Sequence, residues 1–94
     1  MTNKRVEVRI PRYLYEELEV WANGLGTTVE KFIRNKVIEQ LETIDFSEIE
    51  PVRLNVYFPD EYKLKLDVLK RSNSTTLSYL VNSLLLRWLI NLGR

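Results

Sequence analysis

A chain of 94 residues has room for one small domain, and its formal net charge of +1 sets up no strong overall field for a polyanion or an acidic partner. It contains neither Cys nor His, which excludes disulfides, thiolate metal sites, the commonest general base and the usual switch near neutral pH. The richest apolar stretch, 84–90, is interrupted by Arg87 and is too short to span a bilayer. With no secretory signal in view, the expectation is a cytoplasmic protein, in the host cell's cytoplasm if the source is viral.

The first element is Arg5 to Ile10, which alternates Arg-Val-Glu-Val-Arg-Ile. Period-two alternation with β-branched residues predicts a half-buried strand, with Val6, Val8 and Ile10 on one face and Arg5, Glu7 and Arg9 on the other. Pro11 ends it, since proline has no N–H for a ladder but suits a helix start. A helix is expected from Arg12 to about Asn23, with Leu14, Leu18, Trp21 and Ala22 at helical spacing and Glu16, Glu17 and Glu19 on the opposite surface. Asn23-Gly24-Leu25-Gly26 should end it through a left-handed cap. Thr27 and Glu30 fit a capping box for a second helix, whose stripe is Val29, Phe32, Ile33, Val37 and Leu41.

An acidic stretch follows, punctuated by Ile44, Phe46 and Ile49, and reads as a linker whose apolar residues can pack on the body. Then the pattern starts again. Laying Pro11 over Pro59 gives an offset of 48 (59 minus 11), at which Arg5 meets Arg53, Val8 meets Val56, Leu18 meets Leu66, Val20 meets Val68, Thr27 meets Thr75, Thr28 meets Thr76 and Leu41 meets Leu89. A second strand is expected over 53–58, with Leu54, Val56 and Phe58 inward and Arg53, Asn55 and Tyr57 outward. Two helices should follow, the last capped by Ser74 or Thr75 and ending at Gly93-Arg94. The reading is a single domain over residues 1–94, built from a first unit at 4–43, a linker at 44–51 and a second unit at 52–94. Two copies of one short unit imply a unit that cannot bury its core alone. Pairing the two strands antiparallel would remove their open edges and let the helices cover one face.

In its order of alternating strand, proline, helix, Gly- or Ser-containing turn and second helix, the chain resembles the ribbon-helix-helix family of DNA-binding repressors (the MetJ and Arc type). The resemblance is to a tandem form, a single-chain pseudo-dimer of the kind found among regulators of archaea and their viruses, and it covers nearly the whole chain. It implies a mainly α fold with a short two-stranded antiparallel β-ribbon, in the order β-α-α-β-α-α, inserted into the major groove of double-stranded DNA. By position it makes Arg5, Glu7, Arg9, Arg53, Asn55 and Tyr57 the base-reading residues. Arg suits guanine, Asn adenine, and Glu the cytosine amine; Glu7 also suits a cross-strand Arg pair. The resemblance further places DNA phosphates at the starts of the second helices, at Thr27 and Thr28 and at Ser74, Thr75 and Thr76, with Lys4, Arg12, Lys31, Lys70 and Arg71 adding phosphate contacts. Glu7 departs from the family's usual neutral or basic residue and Tyr57 stands where the first copy has Arg9, so either one half contributes less to base reading or the two halves read different bases.

Transcriptional regulation, as a repressor, is therefore the expected function. The alternative is a protein-interaction or assembly module, including an antitoxin-like one, although the chain stops just past its last helix, where antitoxins of this fold carry an extra tail. No enzyme, metal, cofactor or small-molecule substrate is expected, because no Gly-rich phosphate loop or embedded acid cluster is present. Leu86 and Ile90 lie off the main stripe of the last helix and Leu92 follows. They read either as the centre of a four-helix body or as a surface for self-association along DNA.

Overall fold

The computed structural model describes residues 4–93. Four α-helices account for its regular structure: α1 (Arg12–Gly24), α2 (Val29–Thr43), α3 (Asp60–Ser72) and α4 (Leu77–Leu92), with a short 3₁₀ helix at Phe46–Ile49 between the halves. Arg94, expected at the end of the last turn, lies outside the described residues.

The repeat governs local structure to the residue. Each proline stands one position before its helix, and its carbonyl accepts the amides three and four residues on, at 3.0 Å in all four cases: Leu14 and Tyr15 on Pro11, Tyr62 and Lys63 on Pro59. The turns after α1 and α3 also match at the offset of 48. Thr27 N–H donates to the Ala22 carbonyl at 3.0 Å, and Thr75 N–H to the equivalent Lys70 carbonyl at 3.1 Å. Both turns pass through the left-handed region at equivalent positions, Gly26 at φ 68° and Ser74 at φ 48°. Glycine takes that conformation freely; serine does so against its Cβ.

The caps are equivalent too, but they fall later than the sequence suggests. Thr28 accepts the Lys31 amide at 3.2 Å, and Thr76 accepts the Tyr79 amide at 3.0 Å. The capping box from Thr27 to Glu30 does not form, and neither Ser74 nor Thr75 is the N-cap. The left-handed residue and the closing bond of the turn consume Thr27 and Thr75, so the next threonine in each copy opens the helix.

The β-ribbon is not there. Among the described residues no strand occurs, and neither 4–10 nor 50–58 makes a backbone–backbone hydrogen bond. The fold is all-helical, which corrects the expected β-α-α-β-α-α order and its pseudo-dimer ribbon. Nor are the inward faces buried together: Val6 and Leu54 are each 77% exposed, Val8 and Val56 each 60%. The physical reason is that alternation specifies which face of a segment is apolar, not that a second backbone lies beside it. In this chain the two segments find no ladder partner and remain irregular arms, one leading into each helical pair.

Packing is sparse. Helix α1 packs on α2, α3 packs on α4, and α1 also packs on α4, whereas α2 touches neither α3 nor α4. Only Ala22, Phe32 and Leu66 are buried hydrophobic residues among those described. In the linker Ile44 is half-buried, while Phe46 and Ile49 stay exposed. Asp45 caps the 3₁₀ helix by accepting the Ser47 amide at 3.0 Å, a bond that holds its carboxyl below the ordinary value of 3.8.

Candidate functional site

The first arm lies along α2. Val6, Val8 and Ile10 line an open cleft of about 880 Å³ with Val29, Ile33 and Val37. The apolar face of the arm thus looks onto a helix across an open cleft, with Val6 and Val8 still exposed. Lys4, Arg12 and Arg34 stand on the same cleft. Arg34 is held by Glu30, one turn earlier, at 2.7 Å. The Glu30–Arg34 spacing of i,i+4 is the sequence signal for this ion pair.

From this arm Arg9 reaches across to the second unit, where its Nη1 lies 3.5 Å from the Ser74 carbonyl oxygen. That places a guanidinium at the turn from which α4 starts. Helix α3 delivers Lys70 and Arg71 in its last turn, just before the same turn. Helix α1 brings no basic residue to the corresponding position. The field of this cluster is felt by Asp67. A hydrogen bond from Lys63, at 2.9 Å, holds its carboxyl below 3.8, and the charges of Lys63, Arg71 and Lys70 add to the effect. The start of α4 contributes amides that have no intrahelical partner, together with the positive end of the helix dipole. Anions bind such an end readily.

The other sequence-derived site residues are placed as follows. Arg5, Glu7, Arg53, Asn55 and Tyr57 are exposed, Tyr57 at 90%. No hydrogen bond or ion pair joins the 4–10 arm to the 50–58 arm among the described residues. The six positions therefore do not form one reading edge; Arg5, Glu7 and Arg9 sit on one arm and Arg53, Asn55 and Tyr57 on another. Thr28, Lys31, Ser74 and Thr76 are exposed at the helix starts, and Thr27 and Thr75 are half-buried behind them. On α4, Leu86 and Ile90 are half-buried, whereas Leu92 is exposed.

Among the described residues no group of three or more acidic side chains is arranged to hold a metal ion, and no helix is long and apolar enough to cross a membrane. Compared with known proteins, the chain matches no family model, no curated protein and no solved structure.

Proposed function

We propose that this chain is a sequence-specific double-stranded DNA-binding transcriptional regulator, a repressor, that works in the cytoplasm without catalytic activity or cofactor. One observation carries the reading: Arg9 of the first arm is seated 3.5 Å from the Ser74 carbonyl, at the start of α4 and beside the basic end of α3. A cation from the first half thus stands at the turn that opens α4, which the basic last turn of α3 precedes in the chain. A guanidinium has five N–H donors, so Arg9 keeps most of its capacity for an outside acceptor while holding Ser74.

In this reading Lys4, Arg12, Lys31 and the helix starts at Thr27–Thr28 and Ser74–Thr76 contact phosphates and set affinity. Arg5, Arg9, Arg53 and Asn55 supply the base contacts, with Glu7 and Tyr57 refining them. They act from two irregular arms, in the manner of flexible arms that follow a groove.

The test is a titration of duplex DNA at several salt concentrations. Binding whose log affinity falls linearly with log salt supports the proposal; no binding at low salt overturns it. Arg9→Ala is expected to weaken the preferred site by about 1–3 kcal/mol relative to a site changed at one base pair. A second reading, an assembly module, is favoured by the apolar side chains left uncovered on α2, α3 and α4.

A further inference from the structure

The contact between the two halves is one-sided. Helix α1 of the first unit packs on α4 of the second. Its repeat-equivalent, α3 of the second unit on α2 of the first, is absent. At the α1–α4 seam, Glu16, Glu17 and Val20 of α1 share a cleft with Arg87, Ile90 and Asn91 of α4. Moved along by the offset of 48, the α1 residues become Leu64, Lys65 and Val68. These three, with Leu69, line an open groove of about 440 Å³ on α3. The α4 residues become Glu39, Glu42 and Thr43 of α2, all exposed. The charges are reversed between the two settings. Where α1 meets α4, acids on α1 stand across a cleft from Arg87; at the unmatched face, Lys65 on α3 has the complementary Glu39 and Glu42 on α2.

We infer that the occupant of the α3 groove is α2 of a second copy of this chain, and that the two copies pair reciprocally, each α2 on the other's α3. A two-fold pair makes this contact twice.

The surface area argues for a whole partner chain. The chain exposes 8824 Å², where a compact monomer of its mass exposes about 5,700 Å². The radius of gyration is 16.2 Å, against about 12 Å for a compact domain of this length. An excess of about 3,000 Å² per chain, about 6,000 Å² for two chains, is enough to supply an obligate homodimer interface, which buries from about 2,000 to over 5,000 Å² over both partners. Uncovered apolar side chains recur at equivalent places in both units, Val20 with Val68, Val37 with Leu85 and Leu41 with Leu89. The Glu39 carboxylate pairs with Lys36 of its own helix, at 3.3 Å, and both side chains are exposed. Such an exposed pair is readily exchanged for a better-enclosed one.

Sedimentation equilibrium of the full chain tests the inference. The expected mass is twice the 11.2 kDa of one chain. Val68→Glu should abolish pairing, and Lys65→Glu should weaken it about tenfold by setting like charges against each other. Combining Lys65→Glu with Glu39→Lys and Glu42→Lys should recover most of that loss, and circular dichroism checks that each variant is helical. A wild-type mass of one chain at every concentration overturns the inference, as it would if α3 closed on its own α2. Pairing that is insensitive to Lys65→Glu, or a charge exchange that restores nothing, overturns it equally. If Val68→Glu fails to fold, the charge exchange alone decides.

Discussion

Helices α1 and α3 hold equivalent places in the two units and run between identical signals, a proline before and a left-handed turn after. Their faces differ. Helix α1 carries Glu16 and Glu17 and is packed between α2 and α4, whereas α3 carries Leu64 and Lys65 there and packs on α4 alone. Asp60 and Glu61 in its first turn, and Lys70 and Arg71 in its last, complement the α3 dipole; α1 has neither. The difference teaches that a duplicated unit can keep its backbone grammar while its outward faces diverge. What is shared holds the helices in register, and what has diverged decides what each helix meets.

Substitutions at matched positions sharpen this. The largest effect is expected at Phe32, which is buried, against its equivalent Leu80, which is half-buried. Phe32→Ala should cost about 3–4 kcal/mol in denaturant unfolding, and Leu80→Ala about 2. Equal losses would mean that the two units share their burial equally, contrary to the asymmetry described. The turns come next. Gly26→Ala should destabilise by about 1 kcal/mol, because a Cβ is disfavoured at φ 68°. At the other turn Ser74→Gly should stabilise by up to about 1 kcal/mol, so thermal midpoints of the two variants should move in opposite directions. That change leaves the Ser74 carbonyl, and hence the Arg9 contact, in place.

Smaller and equal effects are expected at the caps. Thr28→Ala and Thr76→Ala should each cost about 1 kcal/mol, since each hydroxyl satisfies one first-turn amide. Unequal costs would show that the cap equivalence is geometric and not energetic. The smallest effect concerns acid. Asp67 titrates below 3.8 in the folded chain because Lys63 bonds its carboxylate. Its contribution is fully present above the unfolded value and is lost as pH falls through the lower folded one. Asp67→Asn should therefore flatten the acid limb of the stability curve, and Asp45→Asn should do so too, because the Ser47 bond also holds that carboxyl below 3.8.

Much of this was legible in the chain. The offset of 48 carries both helical pairs and the two prolines before them, and a left-handed cap within residues 23–26; that the left-handed residue is Gly26, and that Ser74 takes the equivalent place instead of capping α4, is seen only in the structure. The caps were misplaced because Thr27-Thr28 and Thr75-Thr76 offer two adjacent hydroxyls, and only the closing bond of the preceding turn decides between them. The ribbon was misread for a different reason. Val6, Val8 and Ile10 alternate along one wall of the open cleft beside α2, and alternation marks an apolar face without saying that a strand stands opposite it. Of the candidate site, the exposure of Arg5, Arg9, Arg53 and Asn55 followed from their place opposite the apolar residues. The meeting of Arg9 with Ser74, 65 residues away, did not, since no local pattern encodes a contact between the two halves.

The scarcity of enclosed side chains has a calorimetric consequence. The heat capacity of melting tracks the apolar area released. A lone chain with Ala22, Phe32 and Leu66 as its buried hydrophobic residues should fall short of the usual figure of about 12–15 cal/mol/K per residue and melt over a broad interval. Copies joined by mutual coverage should approach that figure, with a sharper endotherm whose midpoint climbs as protein is added.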